Sequence, residues 1–351
     1  MGKERNQAFD ILRIIACFSV VMLHVSSRYI MSIGVETLDF RSSNAYNSLS
    51  QVGVPIFVMI SGALFLDSNY KTSIKKIWLH NILRIVICFF IWGFAYYVYQ
   101  SVYLWHFDFY RQGILRTITG IAYASDHLWY LGMIVGLYAL VPVLRSYLEK
   151  TDKKNIQYLL YLVGIFQIAK TTIVILLDSS LVNRFVELFG IVELTGYLGY
   201  FIWGYYIVHF GITKNIRTLL YVLVPLALVV NYVVSMHMSL KAGAYNPGIY
   251  SGFCIFTFIE VSALFVAVKE ICNKVKINKT VGKVLKSVSA DSFGVYLLHM
   301  MIIDYLYEEG FFGKLSPNLV WQIPLSLAVF IVSMLVATVL RRIPFVGRYI
   351  C

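Results

Sequence analysis

The sequence predicts an all-α, polytopic membrane helical bundle of about ten transmembrane helices, with both termini cytoplasmic. Three observations carry this. Of the 351 residues, 59% are hydrophobic and 14% charged, against about 45–50% and about 25% in an ordinary soluble domain, and mean hydropathy is +0.72. The apolar residues fall in blocks of roughly 17–25, each long enough to cross about 30 Å of hydrocarbon. Lys and Arg are spread unevenly over alternate connecting segments, as they are when cytoplasmic loops collect positive charge. A soluble enzyme, a disordered chain and a secreted disulfide scaffold are excluded.

The ten spans are read at 9–29, 46–66, 77–99, 128–148, 156–177, 188–209, 216–236, 249–268, 289–307 and 319–340. Runs this long, without period-two alternation, suit helices rather than barrel strands. The first carries Asp10, Arg13 and His24 and lacks a small-residue cleavage site, so it is not a signal peptide. The second opens on Gln51-Val52-Gly53-Val54-Pro55 and carries Ser61-Gly62, small residues that permit close helix approach. The third holds Arg84 with His80 one turn earlier. The fourth begins at His127, Trp129 and Tyr130, where an aromatic belt is normal. The later spans carry Lys170 (fifth), Glu193 (sixth), Glu260 (eighth) and His299 (ninth), each costly in lipid and therefore expected to face the bundle interior.

With the N-terminus inside, the inner segments hold twenty Lys and Arg and the outer segments seven. No connection is long enough to form a second domain, so residues 1–351 read as one membrane domain. The largest outer loop, about 100–127, has Trp105, His106, Asp108 and Tyr110 with which to shape a substrate mouth; the lysine-rich inner segment 269–288 suits anionic membrane lipid. The net charge of +12 is explained by this asymmetry. No basic, aromatic-interleaved soluble domain is present to bind nucleic acid. Five cysteines (Cys17, Cys88, Cys254, Cys272 and Cys351) form no CxxC pair and no metal-type spacing with His, so neither a disulfide nor a metal site is expected.

Ionisable groups inside a bilayer cost at least about 2.5–3.5 kcal/mol each. Arg13 and His24 are eleven residues apart, about three turns plus 20°, so they share a face about 16 Å apart along the axis. Asp10 precedes Arg13 by three and can pair with it. Two readings of this stripe stay open: an Arg snorkelling inward beside a structural His, or an acid, a cation and an imidazole lining a site. Arg84 lies at the depth of Arg13, and two guanidinium groups there suit phosphate, because each planar fork bonds two oxygens. The plainer reading pairs Arg84 with Asp10 or with helix-end carbonyls.

These residues resemble the acyltransferase-3 family of integral membrane acyltransferases along essentially the whole chain. The strongest element is Phe9-Asp10-Ile11-Leu12-Arg13-Ile14-Ile15-Ala16 followed by His24, similar to the family's Arg, ten residues, His signature. Similar too are Val54-Pro55-Ile56-Phe57-Val58-Met59-Ile60-Ser61-Gly62, Leu83-Arg84-Ile85 and His127-Leu128-Trp129-Tyr130-Leu131. Late in the chain come Ser292-Phe293-Gly294-Val295-Tyr296-Leu297-Leu298-His299 and Ile343-Pro344. One stretch departs: the family's Arg-x-x-Arg pair reads Asn81-Ile82-Leu83-Arg84 here, so one phosphate contact is lost or supplied by Lys75, Lys76 or Arg13.

The resemblance implies a membrane-bound O-acyltransferase, of the kind found in bacterial cell membranes, that moves acetyl from acetyl-CoA to a hydroxyl of an envelope glycan or lipid-linked sugar. His24 is then general base or acyl carrier, Arg13, Arg84 and Asp10 hold the donor, and His127, Trp129 and Glu193 meet the acceptor. A second resemblance, to the membrane half of serine racemase-type proteins, implies serine transport instead, and a catalytically silent relative is the third possibility.

Overall fold

The computed structural model describes residues 6–70, 72–104, 119–121, 124–177, 196–275, 277–314, 320–344 and 347. Among them the secondary structure is helical, with no strand. The principal helices are α1 (Gln7–Ile30), α2 (Leu38–Ser50), α3 (Gly53–Phe65), α4 (Ile74–Val102), α5 (Asp126–Leu148) and α6 (Lys153–Leu177). They continue as α7 (Leu198–His209), α8 (Lys214–Ala242), α9 (Ile255–Lys274), α10 (Lys279–Glu308) and α11 (Gln322–Arg342). Polar caps set several starts. Asn6, Thr37, Asp152, Thr213 and Asn278 each accept a backbone N–H of the first turn with a side-chain oxygen.

Seven of the described helical stretches are long and apolar enough to cross a membrane: α1, the joined α2–α3 stretch, α4, α5, α6, α8 and α11. The predicted eighth and ninth spans are helical as α9 and α10, which bury Glu260 and the pair Asp291 and Asp304. The predicted sixth span is described only from residue 196 onward, as α7. The second span is longer than predicted and kinked. Its helix starts at Leu38, breaks at Gln51–Val52 and resumes at Gly53. Hydropathy places the start late because α2 is polar, yet Ser43, Asn44 and Asn47 are fully buried and hydrogen-bonded to neighbours. Asn47 donates to Ser26 and Ser27 of α1, and Asn44 accepts from Ser235 of α8.

The distribution of polarity is inverted relative to a soluble bundle. On α8 the exposed side chains are Leu219, Val222, Leu226, Val229 and Val233, while Asn231, Ser235 and Ser239 are buried. The same holds on α11, with Ile323, Leu327, Val332 and Leu335 outside and Gln322, Ser326 and Ser333 inside. Hydrocarbon around the bundle makes this arrangement favourable, because lipid solvates the apolar face and polar groups find partners only within.

Helix α1 is the hub, packing against α2, α3, α9, α10 and α11, with Leu12, Ala16, Val21 and Val25 buried. Two glycines bring α3 and α7 into backbone contact. A Cβ on Gly62 would lie 1.8 Å from the Phe201 carbonyl oxygen, and one on Gly204 would lie 2.1 Å from that of Met59. The small-residue reading of Ser61-Gly62 is therefore met by packing. Helix α10 is fastened to α1 at three levels. Ser289 donates to Asp10 at 2.8 Å, Cys17 Sγ donates to the Ser292 carbonyl at 3.4 Å, and Arg28 is paired with Asp304.

Candidate active site

The first turns of α1 build one end of the site. Asp10 is buried, and its Oδ1 lies 3.5 Å from Arg13 Nη1 while also accepting from Ser289. The i, i+3 pairing expected from the sequence is present. Arg13 lines a cavity of about 160 Å³ with Phe57, Tyr130, Phe293 and Tyr296. Arg84 approaches the same place from α4. Its Cζ stands 6.0 Å from the centroid of the Phe293 ring. Arg84 follows directly on a π-helical segment, Ile77–Ile82, where the wider turn re-registers the residues after it.

Three histidines assemble behind Tyr296, one of the residues that line this cavity. The His24 ring centroid lies 5.1 Å from that of His299 and 6.4 Å from that of His127, and His127 and His299 are 5.2 Å apart. Tyr296 separates them from the cavity, with its ring 5.3 Å from His127, 6.1 Å from His299 and 5.5 Å from Tyr130. The Tyr296 hydroxyl donates to the His127 carbonyl at 2.6 Å. Ser125 Oγ is 2.6 Å from His127 Nδ1, and His299 Nδ1 is 3.2 Å from the Val295 carbonyl one turn back. Tyr96 of α4 closes the cluster. Its ring is 5.2 Å from His127, and its hydroxyl donates to the Leu297 carbonyl while accepting from the Met301 N–H.

His127 and His299 are 3% and 0% exposed, and the Nε2 atom of each has no hydrogen-bond partner among the described residues. Among the described residues no group of His, Cys, Asp and Glu has an arrangement suited to a metal ion.

A family model described as an acyltransferase domain matches residues 6–340. The chain belongs to the acyltransferase-3 family. No curated protein and no solved structure gives a match. The acyltransferase-3 assignment covers the two ends of the site at once, since Arg13, Arg84, His24, His127 and His299 all lie within the matched residues.

Within this acyltransferase-3 chain the expected residues separate into three groups. Asp10, Arg13 and Arg84 converge near Phe293, and His24 lies at the opposite end of α1. His127, which the sequence places at the outer start of the fourth span, is buried against His24 and His299. A 3₁₀ turn, Asp126–Leu128, tucks it inward before α5 proper begins. Its neighbour Trp129 points elsewhere, half-exposed and stacked on Tyr197 at 5.7 Å. Glu193 lies outside the described residues, as do Trp105, His106, Asp108 and Tyr110. From the sequence His299 is one costly polar group among several, and Tyr296 and Phe293 carry no role of their own. The available signal was spacing: Tyr296 and His299, like His127 and Tyr130, stand three apart and therefore share a helix face.

Proposed function

We propose that this membrane acyltransferase takes an acyl group, acetyl in the first instance, from acyl-CoA at the arginine end of the site. It passes that group to a hydroxyl of an envelope acceptor, a glycan or a lipid-linked sugar. Phosphate groups of the donor are held by Arg13 and Arg84, with Asp10 keeping Arg13 in place, and the thioester reaches the histidines beyond Tyr296. His24 removes the acceptor proton or carries the acyl group. The observation that carries this reading is that Arg13, Phe293 and Tyr296 line one cavity, with Tyr296 packed in turn against His127 and His299. Phosphate suits planar guanidinium forks, and an imidazole is the side chain whose ordinary titration range lets it act as base near neutral pH.

The membrane placement follows from the same reading. With the twenty inner and seven outer Lys and Arg, α1 starts at the cytoplasm, so the arginines meet cytoplasmic donor and His24 lies toward the acceptor. The test is His24→Ala in membrane vesicles supplied with radiolabelled acetyl-CoA. Incorporation into the envelope fraction should fall by about 10²–10⁴-fold while CoA binding persists. A His24→Ala protein that still transfers at the wild-type rate would refute the assignment of His24.

A further inference from the structure

A groove separate from the arginines and histidines runs down the side of the bundle where α6 passes α7. Its deeper part, about 550 Å³, is lined by Leu160, Gly164, Ile168 and Thr172 of α6, with Trp203 of α7 and Phe258 of α9. Its shallower part, about 310 Å³, lies at the start of α6 and is lined by Lys153, Gln157, Phe210 and Thr213. Leu160, Tyr161 and Trp203 border both parts, so the two are continuous. Glycines open it. A Cβ on Gly164 would meet nothing within 4 Å, and Gly199 lets Val163 approach to where its own Cβ would be only 2.5 Å away. A π-helical segment, Gly164–Ala169, interrupts α6 at the same level, a feature frequent at functional sites.

The two parts differ in chemistry. In the deeper part the polar groups of the wall are already used. Thr172 Oγ1 donates to the Ile168 carbonyl at 2.7 Å, and Trp203 Nε1 donates to Ser262 Oγ at 3.0 Å. A hydrocarbon chain is the occupant that suits such a wall, because a polar one would lose its hydrogen bonds there. At the mouth, Lys153 Nζ stands 5.9 Å from the centroid of the Tyr206 ring and 5.7 Å from that of Phe210. Tyr206 stacks on Trp203 at 5.6 Å and accepts from Gln157 Nε2 at 2.7 Å. Lys150, Lys154 and Lys214 are exposed and close by in sequence. The acids of this segment are engaged: Asp152 accepts from the Asn155 N–H, and Glu149 lies 3.7 Å from Arg145. Lys153 and Gly164 are eleven residues apart, about 16 Å along a helix, and half of about 30 Å of hydrocarbon is one leaflet.

The geometry points to a bound anionic phospholipid, its phosphate on the Lys153 ammonium and one acyl chain laid in the groove past Gly164 toward Thr172. Charge complementarity at the mouth and the depth of one leaflet select this occupant. A water-soluble phosphate would fill only the mouth, and a neutral chain only the deeper part. In the topology proposed above the mouth lies at the cytoplasmic leaflet, whose anionic lipids attract lysines near the surface. The site goes beyond the acyl-transfer reading and shares no lining residue with the cavity at Arg13.

The test uses the full chain in detergent with phosphatidylglycerol or phosphatidylcholine of identical acyl chains, retained lipid being counted by native mass spectrometry. Phosphatidylglycerol should be retained about fivefold over phosphatidylcholine. Lys153→Gln should remove most of that preference, and Gly164→Leu, which fills the groove, should lower retention of both lipids. Phosphatidylglycerol with a photoactivatable diazirine in its chain should label residues 160–173 above the lipid-facing sides of α8 and α11, and Gly164→Leu should abolish the excess. Excess glycerol 3-phosphate should displace none of the label. Equal retention of the two lipids, or even labelling of α6, α8 and α11, would overturn the site and leave ordinary boundary lipid. Displacement by glycerol 3-phosphate would overturn it too, assigning Lys153 to a soluble phosphate. If a variant is not monodisperse on size-exclusion chromatography, the wild-type labelling pattern and its competition decide.

Discussion

Asp10 and Arg13 form an ion pair in which the acid is buried and the cation is partly exposed. The Asp10 side chain is 4% accessible, that of Arg13 is 27%, and the closest N···O distance is 3.5 Å. Removing the cation therefore takes a charged partner from a buried carboxylate that also accepts from Ser289. Arg13→Leu should destabilise the protein by about 3 kcal/mol, read as an earlier thermal unfolding in detergent. Asp10→Asn combined with Arg13→Leu should be more stable than the Arg13→Leu protein, because the buried charge is gone. Equal stability of the single and double variants would show that the pair is not coupled.

Gly62 and Gly204 allow α3 and α7 to touch through their backbones, and no side chain fits at either position. Gly62→Val or Gly204→Val should separate the helices at a cost of about 1–3 kcal/mol or more and reduce the yield of monodisperse protein. Gly136, around which a Cβ would meet nothing within 4 Å, is the control, and Gly136→Ala should behave as wild type.

Arg84 stands over the Phe293 ring, and its loss is read most directly on donor binding. Arg84→Leu should weaken CoA binding, measured by isothermal titration calorimetry, without loss of extractable protein. Arg84→Lys should restore part of the affinity, because the charge returns without the planar fork. Wild-type affinity in a folded Arg84→Leu protein would remove this residue from the donor site.

Transfer should rise with pH across the titration range of the histidines. A base must be neutral to accept a proton, so protonation at low pH removes activity and deprotonation restores it. The acid limb should vanish in whatever residual activity His24→Ala retains, measured with labelled acetyl-CoA over a pH series. An acid limb that persists unchanged would assign it to another group.

Orientation is open to labelling from one side. Glu36 lies between α1 and α2 and Asn215 opens α8, both exposed and at opposite membrane faces in the proposed topology. An impermeant thiol reagent applied to intact cells should modify Glu36→Cys and spare Asn215→Cys. The opposite pattern would invert the topology and move the donor side with it.

The sequence by itself determined the environment and the main axis of this protein. Block length and hydropathy specify helices in lipid, because a backbone in hydrocarbon has no other partner than itself. The 3.6-residue period alone aligns Arg13 with His24 and pairs Asp10 with Arg13. The tertiary structure decided what that axis meets. Hydropathy cannot see that Asn44 and Asn47 find partners on α1 and α8, so the start of α2 is not legible in composition. Nor does any local pattern tie His24 to His127 and His299, which are more than a hundred residues apart in sequence. Their meeting depends on α10 lying against α1, fastened by Asp10–Ser289 at one end and Arg28–Asp304 at the other, and on the turn at Asp126–Leu128 that folds His127 inward. Period along one helix is a local property of the chain, whereas the apposition of three helices is settled only by which buried polar groups find one another when the bundle closes.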